Sequence, residues 1–280
     1  MRAYQLQAFG YDNLQLVELP DPEPGPGEVL VRLRAVSLNF RDHLMCRGQY
    51  NPRQPLPLIP ISDGAGEVVG VGPRVSRFKP GARVMPIFAQ DWIAGKPTHE
   101  RVRSTLGGPR DGLLRELAVF PEHALVAIPE HLDYEQAATL PCAGLTAYNA
   151  LFKFDPLLAG QRVLVMGTGG VSIFALQFAK AAAAEVFATS SDAAKLERAR
   201  ALGADHLVNY KEVPEWGKEV RRLSGGEGVD LVVEVGGAGS LANSIRATAV
   251  GGLIVLLGVL AGDANPPNLT PVFMNGLRVQ

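Results

Sequence analysis

The chain has 280 residues, of which 47% are apolar and 20% charged, and its formal net charge is −1. This length suits one large or two ordinary domains, and the near-neutral charge disfavours nucleic acid as a partner. Two cysteines, Cys46 and Cys142, exclude a disulfide framework. The N-terminus lacks a signal segment, and the apolar stretch 253–260 is too short to span a bilayer, so we expect a cytoplasmic protein without a membrane partner.

Residues 1–125 predict a compact, mainly β domain with short strands and many turns. Apolar and polar residues alternate in several of these strands, as they do in half-buried strands, and proline and glycine interrupt them. The predicted strands cover 14–19, 29–37, 64–72, 82–85 and 114–120. We interpret the polar segment 91–110 as a surface loop.

Residues 126–267 predict a second domain in which strands and helices alternate around a parallel sheet. The segment 134–152 is helical with a break at Leu140–Pro141. The predicted strands are 163–166, 185–190, 206–210, 229–235 and 251–258, and the predicted helices between them include 171–184, 193–202 and 241–249. Residues 268–280 are expected to return to the first domain or to the sheet edge. The chain ends inside a predicted strand, so we expect a C-terminal part to be missing.

A glycine turn joins the first of these strands to its helix. Gly167 suits a sharp turn, and Gly169 allows close approach of a pyrophosphate to the backbone. The helix that begins near Gly170 and Val171 offers free N–H groups and a partial positive charge. The third glycine of the usual G-x-G-x-x-G pattern is Ser172. Because a second strand follows after one helix length, the context favours a dinucleotide site over an ordinary tight turn.

Five stretches together resemble the medium-chain dehydrogenase/reductase superfamily, in particular its zinc-free quinone oxidoreductase and alcohol dehydrogenase-like branches. They are 36–42 (VSLNFRD), 64–72 (GAGEVVGVG), 140–147 (LPCAGLTA), 163–172 (VLVMGTGGVS) and 202–205 (LGAD). The resemblance implies an α/β protein with a GroES-like, mainly β catalytic domain and a doubly wound Rossmann domain. It also implies an active site in the cleft between them and a homodimer or homotetramer.

The resemblance places the zinc ligands of the metal-dependent members on Asn39, Ser62 and Cys142. An amide, a hydroxyl and one thiol do not hold zinc tightly, since a catalytic zinc needs about three suitable ligands. We therefore expect no metal. An improvised site at His43 and Cys46, three residues apart on a predicted helix, is the weaker alternative to ordinary packing.

The resemblance also indicates the cofactor. Ser190 falls where NAD-binding relatives carry an acidic residue, and Ser191, Lys195 and Tyr210 suit a 2′-phosphate, which favours NADP(H). Asp192 either bonds the ribose, which keeps NAD(H) open, or caps the next helix. Further residues expected along the cofactor are Thr146, Val235, Gly236, Gly258 and Val259. For the neighbouring Gly237, a turn without a cofactor contact is an equal alternative.

Without zinc, the chemistry predicted for a small-molecule substrate is hydride transfer to a quinone or an α,β-unsaturated carbonyl. Asn39 is the first candidate for the donor to the developing enolate oxygen, Arg41 is the second, and Tyr50 is expected to contact the acceptor or donate a proton. Arg41 and Asp42 could instead pair with each other or with surface charges. The alternatives are an alcohol dehydrogenase-like enzyme with an atypical metal site and a crystallin-like protein that binds NADPH without turnover.

Overall fold

The structure is a computed structural model that describes residues 1–262 and 265–280. Two compact units, Met1–Cys142 and Ala143–Gln280, divide the chain. The sequence predicted a domain boundary after residue 125, whereas these units divide after Cys142 because a helix at Tyr134–Ala138 packs on strands of the first unit. The domain ranges 1–125 and 126–267 stay a prediction, and the second of them includes residues 263–264, which lie outside the described part.

The first unit contains an antiparallel five-stranded sheet in the order β6-β3-β4-β5-β7 and a two-stranded ribbon of β1 and β2. The strands are β1 (Arg2–Leu6), β2 (Leu14–Glu18), β3 (Glu28–Ser37), β4 (Asp63–Val71), β5 (Arg83–Pro86), β6 (Leu117–Pro121) and β7 (Leu125–Ala127); the helices are α1 (Phe40–Cys46), α2 (His99–Val102) and α3 (Tyr134–Ala138). Alternate residues of β3, such as Val29 and Val31, are fully buried. This period of two places one face of the sheet against the core.

The segment 91–110 differs from the predicted surface loop. It contains helix α2, and Ser104 and Leu106 are buried. Leu106 packs into the core of the first unit with Val84 and Leu113. An apolar residue inside a polar segment thus anchors it, which the overall polarity of the segment concealed.

The second unit is a six-stranded parallel sheet in the order β10-β9-β8-β11-β12-β13. Its strands are β8 (Arg162–Met166), β9 (Glu185–Ser190), β10 (His206–Asn209), β11 (Val229–Glu234), β12 (Thr248–Leu256) and β13 (Arg278–Val279); its helices are α4 (Leu145–Phe152), α5 (Gly170–Ala181), α6 (Ala193–Ala201), α7 (Trp216–Leu223), α8 (Ala238–Ala247) and α9 (Thr270–Met274). A single turn of π-helix at Leu140–Gly144 confirms the predicted break before α4.

Helices cover both faces of this sheet, because successive strand residues point to opposite sides. Val163 and Val165 of β8 pack into one cluster with residues of α4 and α5. Leu164 and Met166 of the same strand pack into a second cluster with Trp216 and Val220. The doubly wound sheet is therefore confirmed, and its strand order reverses between β8 and β11, where ligands bind in such folds. Among the described residues, no helix is long and apolar enough to cross a membrane.

Candidate active site

The glycine turn after β8 has the geometry that a pyrophosphate requires. Gly167 has a φ of +71°, and a Cβ on Gly167 or Gly169 would meet no described atom within 4 Å apart from its chain neighbours. Helix α5 begins directly after, with Gly169 at its N-cap. The first N–H groups of a helix have no partner within it, so Gly170 and Val171 belong to a ready-made anion site.

Ser172 explains how the turn tolerates the loss of the third glycine. Its side chain is buried, and its hydroxyl donates a 2.6 Å hydrogen bond to the carbonyl oxygen of Met166 at the end of β8. The serine therefore preserves close packing between strand and helix and adds a bond across it. The sequence alone suggested only that serine is small enough.

The predicted 2′-phosphate residues cluster at the ends of β9 and β10. Ser190 is buried, and its carbonyl oxygen accepts a 3.1 Å hydrogen bond from the N–H of Tyr210. Asp192 caps α6, because its Oδ1 accepts from the backbone N–H of Lys195 at 2.9 Å. Ser191 is half-buried and the Lys195 side chain is exposed. Of the two alternatives for Asp192, the structure shows the helix cap.

A buried carboxylate that sequence reasoning missed, Glu234, holds the turn between β11 and α8. It accepts hydrogen bonds at Oε1 from the N–H groups of Gly236 (2.7 Å) and Gly237 (3.1 Å) and from the hydroxyl of Ser240 (2.7 Å). The hydroxyl of Ser244 donates to its other oxygen. An acidic residue that ends an apolar strand was the available signal, since a fully buried carboxylate must be hydrogen-bonded.

Two glycines predicted near the cofactor have a packing reason as well. Gly237 has a φ of +80°, and its Cβ would lie 2.8 Å from the carbonyl oxygen of Gly258. A Cβ on Gly258 would lie 2.5 Å from the carbonyl oxygen of Val235. The turns after β11 and β12 therefore approach too closely for a side chain. Val259 is exposed beside them, and Thr146 is half-buried near the start of α4.

In the first unit, the positions of the zinc ligands form a hydrogen-bonded chain. Asn39, at the N-cap of α1, donates from Nδ2 to Ser62 Oγ at 3.4 Å, and Ser62 Oγ donates to Asp63 Oδ1 at 3.1 Å. The N–H of Cys142 donates to Asp63 Oδ2 at 2.9 Å. Burial raises the pKa of Asp63 to about 6, and the hydrogen bonds from Asn39, Cys142 and Ser62 oppose this shift.

These residues do not fit a catalytic zinc. Asn39 and Ser62 are neutral, and both carboxylate oxygens of Asp63 already accept hydrogen bonds within the protein. Over residues 1–262 and 265–280, the structure brings together no group of three or more His, Cys, Asp or Glu that could hold a metal. An amide and a hydroxyl are not among the side chains that usually bind zinc.

Arg41 is buried rather than directed to surface charges. Its Nη atoms donate to the carbonyl oxygens of Leu106 (2.9 Å) and Gly108 (3.0 Å), and its guanidinium lies 4.9 Å from the ring centroids of both Tyr50 and Phe88. Asp42 is also buried, 3.5 Å from an Arg41 nitrogen. Of the two alternatives for Arg41 and Asp42, the structure shows the pair with each other rather than pairing with surface charges. Arg41 clamps the 105–109 loop.

Asp42 and its helix neighbours have structural partners. Asp42 Oδ2 accepts the N–H of Asn39 at 2.8 Å, which closes the start of α1, and burial raises its pKa. His43 Nδ1 lies 2.6 Å from the Tyr11 hydroxyl, and its ring stacks on Phe40. Burial raises the pKa of the Cys46 thiol. Packing thus accounts for the pair considered as an improvised metal site.

A cavity of about 740 Å³ opens beside Arg41. Its wall is largely apolar and aromatic and belongs to the first unit. The described lining residues are Met45, Tyr50, Asn51, Arg53, Pro55, Phe88, Ala89, Trp92, Val102, Arg103, Thr105, Gly108 and Pro109. Tyr50, predicted to contact the acceptor, therefore lines a concave surface of the first unit together with aromatic side chains.

Comparison with protein families identifies both units. The alcohol dehydrogenase GroES-like domain matches residues 25–130, and the zinc-binding dehydrogenase family matches residues 170–280. The antiparallel sheet is thus the GroES-like part, and the parallel sheet is the Rossmann part. The chain belongs to the medium-chain dehydrogenase/reductase superfamily and is an NAD(P)-dependent oxidoreductase.

Individual relatives carry different names. A zinc-type alcohol dehydrogenase-like protein of Schizosaccharomyces pombe is 46% identical over 94% of this chain and 77% of its own length. A solved NAD-dependent alcohol dehydrogenase (TM-score 0.91, 39% identity) matches 100% of this chain and 83% of its own. Escherichia coli quinone oxidoreductase complexed with NADPH (TM-score 0.83, 26% identity) matches 100% and 80%. These names agree on the class and differ on metal, cofactor and acceptor.

Proposed function

We propose that this oxidoreductase transfers a hydride from NADPH to a quinone or an α,β-unsaturated carbonyl without zinc. The observation that carries the proposal is the chain Asn39–Ser62–Asp63, in which an amide and a hydroxyl occupy the expected ligand positions and bond each other. Alcohol oxidation needs a group that polarises an alcohol oxygen, which this donor set does not supply. An activated, conjugated acceptor requires only orientation and a hydrogen-bond donor.

In this proposal Asn39 is the donor to the acceptor oxygen. Its amide nitrogen donates to Ser62 Oγ and also bonds the Asp63 carboxyl, and in this proposal the acceptor oxygen, on which negative charge develops, takes over one of these two N–H bonds. Ser62 in turn donates to Asp63, so the direction of hydrogen bonding along the chain fixes the orientation of the amide. NADPH, when bound, supplies the hydride and becomes NADP⁺, and solvent supplies the proton that completes reduction.

Arg41 and Tyr50 support the acceptor site. Both Nη atoms of Arg41 bond the 105–109 loop, so we assign it to holding the wall of the cavity near Phe88 and Tyr50. Tyr50 is half exposed and lines that cavity, which supports direct contact with the acceptor. We keep proton donation by Tyr50 as the alternative to proton supply from solvent.

We further propose that NADP(H) is preferred over NAD(H). Ser190, Ser191, Lys195 and Tyr210 offer hydroxyls and a cation for a 2′-phosphate, and Asp192 is already used as a helix cap. Gly167, Gly169, Gly170 and Val171 would take the pyrophosphate. Thr146, Val235, Gly236, Gly258 and Val259 would line the rest of the cofactor. We also propose that the protein is cytoplasmic and that it forms a homodimer or homotetramer. Light scattering on the purified protein tests the oligomeric state.

The test measures oxidation of NADPH and NADH by the chelator-treated protein with a naphthoquinone and with an enal. We expect turnover with NADPH that chelator leaves unchanged. Asn39→Ala should lower kcat by about 100-fold, as loss of a donor to a developing oxyanion does. Asn268→Ala, an exposed asparagine of the other unit, is the matched control. Turnover that returns only with added zinc would overturn the proposal in favour of the zinc-type alternative.

Cofactor preference has its own variants. Lys195→Ala should raise KM for NADPH by about tenfold and leave KM for NADH unchanged, since only NADPH carries the 2′-phosphate. Lys79→Ala removes an exposed lysine far from any predicted site residue in sequence and should change neither. Equal effects of Lys195→Ala on both cofactors would contradict the assignment. NADPH binding without oxidation by any acceptor would favour the non-catalytic binding protein.

A further inference from the structure

The cavity beside Tyr50 has a charge character that the proposed reaction does not require. Two of its lining residues are arginines, Arg53 and Arg103, and no carboxylate is among its described lining residues. Both arginines are exposed at the wall, and neither forms an ion pair with any described residue. A neutral quinone or enone gives no reason for two unpaired cations in a wall whose other polar side chains, Asn51 and Thr105, are uncharged.

The acidic groups near this pair in sequence form no ion pair with it. Glu100, three residues before Arg103, is exposed and forms no ion pair with any described residue. Asp91 is bonded to Arg110, and Asp111 accepts the backbone N–H of Ile59. Arg101, two residues before Arg103, donates to the carbonyl oxygen of Lys96. The two lining guanidiniums are therefore available to a ligand, in contrast to the buried Arg41.

The rest of the wall defines the other part of the ligand. Tyr50, Phe88 and Trp92 present aromatic surface, and Met45 and Val102 add aliphatic surface. A ligand that buries an apolar body against these residues brings an attached anion close to the arginines. Two guanidiniums bind carboxylate or phosphate oxygens through paired hydrogen bonds.

We propose that the acceptor carries an anionic group, a carboxylate or a phosphate, on an apolar unsaturated body, and that Arg53 and Arg103 bind that group. This inference rests on the proposed function, because it names the substrate class for the same site. Arg53 and Arg103 are specificity residues in it, and hydride transfer itself does not involve them. Because both are exposed, their contribution is moderate and weakens with salt.

The kinetic test compares 4-oxopent-2-enoate with its methyl ester as acceptors for NADPH oxidation. The two share the enone and differ in charge. We expect kcat/KM to favour the acid by about five- to tenfold at low salt, and the double variant Arg53→Ala/Arg103→Ala to abolish that preference. The ester rate should change less than about twofold. Arg47→Ala, an exposed arginine outside the cavity wall, is the matched control.

A binding measurement separates this inference from the proposed function. Calorimetry with saturating NADP⁺ compares benzoate, phenyl phosphate and neutral benzamide on the wild type and the double variant. Tighter binding of an anion that depends on the two arginines supports the inference even if neither enone turns over, and benzoate against phenyl phosphate distinguishes the two anions. Equal binding of all three probes, or affinities unchanged in the double variant, would overturn it. Absence of turnover alone would count against the proposed function.

Discussion

Asp63 is a fully buried carboxyl whose pKa burial raises to about 6 from an ordinary value of 3.8. The folded protein holds a proton there that the unfolded chain releases, so this group stabilises the fold most at low pH. The stabilisation is lost as pH rises from about 4 through 6. Charge on Asp63 above pH 6 is opposed mainly by lost hydration, and the donors Ser62, Asn39 and Cys142 compensate only in part.

Asp63→Asn removes this titration and is expected to change the pH dependence of stability. Relative to the wild type, the variant should gain up to about 3 kcal/mol in the free energy of unfolding between pH 4 and pH 7, because two pKa units correspond to roughly that energy. Urea unfolding at several pH values measures it. Asp12→Asn, which changes an exposed carboxylate, serves as the control substitution. A difference for Asp63→Asn that does not change with pH would refute the raised pKa.

Asn39 and its neighbours also show the limit of inference from sequence. The motifs of this chain could be matched to the zinc-ligand positions of metal-dependent relatives, and this match identified Asn39 and Ser62 as candidates. The bonds that join them were not predictable, because Asn39 bonds Ser62 across 23 residues and Asp63 accepts the N–H of Cys142 across 79 residues. Arg41 was the second candidate donor, with pairing to Asp42 or to surface charges as the alternative. Its carbonyl partners were not predictable, because they lie some 65 residues further along the chain.

Helices and strands of the Rossmann part were predictable, because the signals are local. Glycine follows the apolar run of β8, and Gly203, with a φ of +103°, follows the C-cap of α6 as predicted. The segment 91–110 was not, since contacts remote in sequence hold it: Leu106 packs in the core of the first unit, and Arg41 bonds the carbonyl oxygens of Leu106 and Gly108. Local patterns thus predict element type well, and they miss the side chains that hold one element to another, such as Ser172 and Glu234.

Glu234 holds the turn from β11 to α8, because its carboxylate accepts four hydrogen bonds there. Glu234→Met leaves the N–H groups of Gly236 and Gly237 buried without an acceptor and should cost about 3 kcal/mol of stability. Glu234→Gln keeps an oxygen toward those N–H groups and can donate to the hydroxyl of Ser244, so its cost should stay near 1 kcal/mol or below.

Thermal unfolding and NADPH titration of both variants measure these effects. Glu227→Gln, an exposed glutamate in the preceding loop, is the control and should match the wild type. We expect Glu234→Met to weaken NADPH binding more than binding of 2′,5′-ADP, which lacks the nicotinamide end that this turn is proposed to line. Equal losses for both ligands would show a general structural role only.

The molecule as a whole consists of two units of similar size, each with its own core. The proposed cofactor residues from Gly167 to Val259 all lie in the second unit, so its stability should respond directly to ligand. A ligand at 100 times its Kd stabilises the state that binds it by about 2.7 kcal/mol. Native-state hydrogen exchange should therefore slow by about 100-fold for globally protected amides of β8, β9 and β11 when NADPH is present.

Amides of β3 and β4 in the first unit report whether the two cores are energetically coupled. If the first unit unfolds independently, hydrogen exchange of these amides stays unchanged when NADPH is added. If the two units unfold together, the exchange slows by the same factor as in β8. Binding to the second unit predicts slowing in the Rossmann strands in either case. Protection gained only in β3 and β4 would place the cofactor elsewhere and remove the basis for the roles of Gly167, Ser190 and Lys195.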